Sequence, residues 1–217
     1  MLINKHKKFI FIHIQKTAGV SFERVLQQEF PGTTQWHGRH GRVIDGLAEM
    51  PIKEWKEYFS FAFVRNPWDR MVSWYAMIKT AQKKLSFFQR VKNNPFASEL
   101  WNYAIQNSHD FESFLENCTD TVYDLGCNKS FAYNQIDYLV DAGGSTAVDF
   151  IGRFENISSD SVHVFKRLGF DLIGGLPRLN QSRHAHYSKW YNEKSKALIA
   201  DRFAKDIELF GYQFEQC

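Results

Sequence analysis

Two short stretches of the chain carry residues whose types and spacing suit phosphate chemistry. In "FIHIQKTAGVS", residues 11 to 21, an apolar run stops at Gln15 and Lys16. Lys16 supplies a full positive charge, and Thr17 and Ser21 supply hydroxyl donors. Ala18 and Gly19 leave room for an anion to approach the backbone. Where a helix starts behind a strand, its first N–H groups and its dipole attract anions. The stretch is not a G-x-x-x-x-G-K-[ST] loop, because here the lysine precedes the glycine. An ordinary strand-to-helix turn with a solvated lysine fits the same residues. The second stretch, "FVRNPWDRMVSWY", ends a strand at Arg65 and places Ser73 inside the following helix. Asn66 and Ser73 lie seven residues apart, nearly two helical turns, and so share a face. A guanidinium fork with a serine hydroxyl near a helix start makes a second phosphate site. Together the two fit a nucleotide with phosphates at both ends.

These residues need elements to position them. Lys8 to Ile14 has the composition of a short buried strand, and Val20, Phe22, Val25, Leu26 and Phe30 then fall near helical spacing. Pro31-Gly32 ends that helix. Residues 32 to 41 form a Gly- and His-rich loop, followed by a short helix over Val43 to Met50. Residues 58 to 65 form a second apolar strand. The helix after it has Asn66 as cap, Pro67 in its first turn and Asp69 near its positive end. Trp68, Met71, Val72, Tyr75 and Ile78 line one side of it.

Residues 86 to 130 look helical, with Phe111, Phe114, Leu115 and Cys118 on one stripe. "QIDYLV" and "TAVDFIGRF" suit strands joined by the turn "DAGGS". Next comes a helix with Val162, Phe165 and Leu168 inward. The last helix runs from Asn192 to Phe210, with Gly211 as its stop. Alternating strands and helices predict an α/β fold: a P-loop-like three-layer arrangement with a central parallel sheet flanked by helices.

Length and charge set bounds on the function. The chain has 217 residues, 44% apolar and 24% charged, which suits one soluble domain spanning residues 1–217. A net charge of +3 gives no reason to expect nucleic acid as a partner. No run reaches the roughly 18 apolar residues of a membrane span, and the expected location is cytoplasmic. Cys118, Cys127 and Cys217 have no metal-ligand spacing, so no metal is expected and free or buried thiols are.

"QKTAGVS" together with "FVRNPWDRMVSWY" resembles the two cofactor signatures of sulfotransferases that use 3′-phosphoadenosine 5′-phosphosulfate. "DFIGRFENISSD", "LPRLNQS" and "DIELFGY" resemble later blocks of the branch that holds carbohydrate sulfotransferases of the Golgi and bacterial relatives. The resemblance covers the chain except roughly residues 80 to 130. It implies that Lys16, Thr17, Ala18, Gly19, Val20 and Ser21 form the loop for the 5′-phosphosulfate, and that Arg65 and Ser73 hold the 3′-phosphate. It extends more loosely to Asn180, Ser182 and Arg183, as a segment closing over the nucleotide. Val20 departs from the pattern, since threonine or serine is frequent there.

The implied reaction moves a sulfuryl group to an acceptor hydroxyl, a saccharide or glycoconjugate, and releases 3′-phosphoadenosine 5′-phosphate. Such a transfer needs a base for the acceptor proton and a cation beside the leaving oxygen. Lys16 suits the second role. His37 and His40, in "WHGRHG" between the two signatures, are the candidates for the first. The "HGRV" context, residues 40 to 43, favours His40 and leaves His37 second. Two other functions compete. An ATP-dependent kinase on a P-loop-like fold would need a Walker A loop and a magnesium carboxylate. A non-catalytic nucleotide-binding protein would need no base.

Overall fold

The computed structural model describes the chain except residues 89–98, 118–121, 125–126, 178, 180–184 and 217. In chain order the elements are β1 (Leu2–Asn4), β2 (Phe9–Ile12), α1 (Gly19–Glu29), β3 (Thr34–Gln35), α2 (Val43–Leu47), α3 (Ile52–Trp55) and β4 (Phe59–Val64). Then come α4 (Pro67–Phe88), α5 (Glu99–Asn107), α6 (Phe111–Asn117), β5 (Val122–Asp124) and β6 (Cys127–Lys129). The chain closes with β7 (Phe150–Arg153), α7 (Ile157–Arg167), α8 (Glu193–Arg202) and α9 (Ala204–Phe210). By contacts it divides into two compact units, Met1–Asn66 with Gln135–Gln181 and Pro67–Asn134 with Ser182–Cys217.

The first unit is built on a five-stranded sheet in the order β3-β1-β2-β4-β7. β2, β4 and β7 run parallel, as the apolar runs predict, while β1 and β3 extend the sheet antiparallel. The sheet is therefore mixed, with helices flanking it. β1 was not legible because three residues are too few to show a period. Every residue of β2 is fully buried, which explains its unbroken apolar sequence. The register pairs Phe9 with Phe59 and Phe11 with Phe61, so phenylalanines stack in rows on one face. Phe22 and Leu26 of α1 and Val164, Phe165 and Leu168 at α7 close that face. The Phe22 ring lies 4.3 Å from Phe63 and 5.9 Å from Phe165, centroid to centroid.

Four expectations need correction. Residues 86 to 130 are not helical throughout, because β5 and β6 pair antiparallel within them. "QIDYLV" is not a strand: Ile136–Tyr138 is a 3₁₀ turn, and only Val140 bridges to Thr146. Next to it, the Gln135 side chain rather than a strand backbone takes up the Arg65 N–H and carbonyl just past β4. On α7 it is Val164 that turns inward, while Val162 is 47% exposed. The last helix is two helices, broken at Phe203 between α8 and α9.

In the second unit, α4 buries Trp68, Met71, Val72, Tyr75 and Ile78, the predicted stripe. Phe111, Phe114 and Leu115 of α6 are buried as expected; Cys118, the fourth residue of that stripe, lies outside the described residues. Asn192 caps α8 by accepting from the Ser195 N–H at 2.9 Å. Gly211 ends α9 at φ 63°, a left-handed position that suits glycine. Among the described residues no helix is long and apolar enough to cross a membrane.

Candidate functional site

Ligands of parallel sheets collect beyond the carboxyl ends of the strands. β2 and β4 are parallel neighbours, so the segments after Ile12 and after Val64 emerge at the same edge. The first is the Lys16 loop and the second begins with Arg65.

The loop is held by its own hydrogen bonds. The Thr17 hydroxyl donates to the Ile14 carbonyl at 2.9 Å and is buried, so its proton fixes the turn. The loop adopts left-handed backbone at Lys16, φ 71°, and at Ala18, φ 67°. Neither residue is glycine, and such positions cost of order 1 kcal/mol each. α1 starts at Gly19 with no side-chain cap and no acidic residue in its first turn. Its positive end is thus left to whatever occupies the loop. Ser21 is buried, and its Oγ accepts from the Leu179 N–H at 3.2 Å. Val20 is half-buried.

Gly19 has a different reason from the one its position suggests. A Cβ there would lie 1.9 Å from His13 Cδ2 and 2.0 Å from its Nε2. The glycine makes room for a histidine ring.

Arg65 is 6% exposed, and its Nη1 donates to the Lys16 carbonyl at 3.1 Å. Its guanidinium lies over the Phe154 ring, 4.0 Å from the centroid. The Gln135 side chain takes the place of a neighbouring strand. Its Oε1 accepts from the Arg65 N–H at 2.8 Å, and its Nε2 donates to the Arg65 carbonyl at 2.9 Å. Glu155 accepts from the Asn66 N–H at 2.6 Å. Lys16 and Arg65, 49 residues apart in sequence, thus share one partly buried place. Burial, and after it the Arg65 guanidinium, lower the Lys16 ammonium from 10.5 to about 8. Both influences disfavour its charge, and a bound anion would offset them.

His40 reaches this region through His13. Its Nδ1 lies 2.9 Å from the His13 carbonyl, and the two rings meet edge to face at 4.6 Å. A carbonyl only accepts, so His40 carries its proton on Nδ1 and leaves Nε2 with a lone pair. Burial foremost, and then His13 and Arg39, lower His40 from 6.5 to about 3. His13 is 3% exposed, and its Nδ1 donates to Glu23 Oε1 at 2.6 Å. Glu23 also accepts from Arg39 Nε, at 3.1 Å to Oε1 and 3.0 Å to Oε2. Burial alone would raise Glu23, but the hydrogen bonds from His13 and Arg39 outweigh it and bring the carboxyl down to about 2.

His37 has left-handed backbone, its ring leans on Trp36, and its Nε2 lies 3.4 Å from Glu49 Oε2. Ser73 is buried on α4 in the second unit. Asn180, Ser182 and Arg183 lie outside the described residues. Sequence reasoning missed His13, Glu23, Gln135 and Phe154. The one available signal was a histidine interrupting an apolar strand three residues before the lysine.

The sulfotransferase family profile matches residues 1–213. The chain is 22% identical to carbohydrate sulfotransferase 10 of Homo sapiens and of Pongo abelii, over 234 aligned positions. Each alignment takes in 97% of this chain and 65% of the relative, so the chain spans just under two thirds of their length. It is 32% identical over 134 residues to an uncharacterized protein of Archaeoglobus fulgidus, covering 61% of this chain and 84% of that one. No solved structure matches. A family match over nearly every residue, on a chain whose lysine loop and strand-end arginine meet at one sheet edge, places this protein in the sulfotransferase family.

Proposed function

We propose that this protein transfers a sulfuryl group from 3′-phosphoadenosine 5′-phosphosulfate to a hydroxyl of a saccharide. The observation that carries the reading is the meeting of Lys16 and Arg65, where burial and like charge hold the lysine at about 8. A polyanionic nucleotide fits that place because its negative charge offsets both penalties. The carbohydrate acceptor is supported by the names of the two similar enzymes.

The donor supplies an activated sulfuryl group on a phosphate leaving oxygen. The chain's residues do the rest. The α1 amides and the Lys16 ammonium bind the 5′ end, and Lys16 offsets the charge that grows on the leaving oxygen. Arg65, flattened on Phe154, presents guanidinium donors to the 3′-phosphate. Ser73 takes its share of that phosphate from its place in the motif alone. His40 Nε2 receives the acceptor proton. Its low resting pKa keeps it unprotonated at neutral pH, and a bound polyanion raises its basicity for the step.

The test combines calorimetry with the desulfated nucleotide and transfer of ³⁵S from labelled donor to a panel of glycans. Wild type is expected to bind the nucleotide with a Kd on the order of 1–100 μM and to label at least one glycan. Arg65→Ala is expected to weaken binding at least tenfold, and Lys16→Ala to abolish labelling. Wild-type affinity in Arg65→Ala would refute the assignment of the site.

A further inference from the structure

Three contacts fix His40, and each leads back to His13 or Glu23. Its Nδ1 donates to the His13 carbonyl, its ring rests on the edge of the His13 ring, and its chain neighbour Arg39 is forked onto the Glu23 carboxylate. Glu23 in turn holds His13 by Nδ1, and the other edge of that ring packs on the Cα of Gly19, where the anion loop becomes α1. Neither His13 nor Glu23 is placed to react. His13 is 3% exposed, with one nitrogen committed to Glu23 and the other against Gly19. Both instead join two separate stretches of sequence, the donor loop and the histidine loop.

We propose that His13 and Glu23 are positioning residues for sulfuryl transfer: with Arg39 they hold His40 in its Nδ1–H form at a fixed place relative to the loop that carries Lys16. This rests on the reading of His40 as the base. In the step, the acceptor O–H proton passes to His40 Nε2 while the acceptor oxygen bonds to sulfur. The bond between sulfur and the 5′-phosphate oxygen breaks, and its electron pair stays on that oxygen. The imidazolium so formed keeps its Nδ1–H on the His13 carbonyl. The groups facing the two rings are Glu23, Arg39, the Met1 amino group and each other. Glu23 is the anion among them, so it offsets Arg39 while it orients His13.

The tautomer of His40 can be read without any substrate. In ¹⁵N-histidine-labelled protein, two-bond proton–nitrogen correlations separate the Nδ1–H and Nε2–H forms, and His40→Gln identifies the signals. Wild type should show His40 neutral and Nδ1–H from pH 8 down to pH 5. Glu23→Gln should mix the Nε2–H form into it. Arg39→Gln should do the same, and because Arg39 is about half exposed this variant keeps its fold. The Kd for the desulfated nucleotide should stay within about threefold of wild type, while kcat on the best glycan falls about 10- to 100-fold, the scale of a misplaced catalytic group. Added to His40→Gln, Glu23→Gln should cost no more than about twofold, since it acts through the missing ring. An unchanged His40 tautomer in both variants overturns the positioning role, and so does a fully additive loss. Undiminished turnover in His40→Gln overturns the base reading instead, which keeps the two failures apart.

Discussion

Lys16→Met should make the empty protein more stable while destroying its use of nucleotide. The wild-type ammonium falls from 10.5 to about 8 in the folded state. At about 1.4 kcal/mol per pH unit this is a penalty of at most about 3 kcal/mol, and residual exposure to water reduces it. The sign comes from linkage. The folded pKa lies below the unfolded one, so between about pH 8 and 10.5 the unfolded chain binds more protons and wild-type stability rises with pH. Below about pH 8 the penalty is present in full. Methionine carries no charge, is as unbranched as lysine at Cβ, and meets the same left-handed backbone, so it removes the penalty without new strain. At pH 7 the variant should melt up to about 6–12 °C higher, at about 2–4 °C per kcal/mol for a chain of this size. The gain should shrink toward zero by pH 10.5. Desulfated nucleotide at 100 times its Kd should stabilise wild type by about 2.7 kcal/mol and leave the variant nearly unmoved. Scanning calorimetry of both proteins at pH 7, 8.5 and 10, with and without nucleotide, reads all of this. A variant less stable than wild type at pH 7, or a difference that ignores pH, would refute the argument.

Three further substitutions probe the supports of the site. Gly19→Ala drives a Cβ into the His13 ring at 1.9 Å and should cost about 1–3 kcal/mol in urea unfolding; adding His13→Ala should recover part of the loss, and no recovery would mean that the ring is not the obstacle. Gln135→Leu removes both hydrogen bonds to the Arg65 backbone and should cost about 2–4 kcal/mol. It should also weaken nucleotide binding, so unchanged calorimetric affinity would count against Gln135 as the brace of Arg65. Phe22→Ala, in contact with the rings of Phe11, Phe63 and Phe165, should cost about 3–5 kcal/mol by chemical denaturation without altering the nucleotide Kd of the folded fraction.

What the sequence made legible was whatever lies in one short segment. Lys16 beside Gly19, and Arg65 at the end of an apolar run, are local facts, and the structure keeps both at strand ends. The buried strands were visible because both faces are covered and the apolar run is unbroken. What stayed hidden was pairing across distance. His40 meets the carbonyl of a residue 27 positions earlier, and Gln135 braces one 70 positions away. No periodicity encodes such contacts, because each depends on how the sheet brings its strand ends to one edge. The strand expected at Ile136 failed for a related reason. Its residues have strand composition, but composition alone does not make a strand: the Gln135 side chain takes the hydrogen bonds to the Arg65 backbone that a pairing strand would make.

The Lys16 loop, taken alone, is a poor piece of structure. Two non-glycine residues sit at positive φ, a lysine is held beside an arginine with its charge disfavoured, and the helix behind them has no side-chain cap. Each feature costs stability in the protein as it stands, and under the proposed function each would be offset or put to use by an anion at the helix start. The offset lies about one turn away, where Phe22 of the same helix packs into the aromatic rows of β2 and β4. That packing explains how α1 stays in place with an uncapped N-terminus: its position is set by the face it buries, so its first amides wait at the sheet edge already oriented. Under the proposed function, a ligand arriving there would bind without ordering the helix, and its charge would offset the like charge at Lys16.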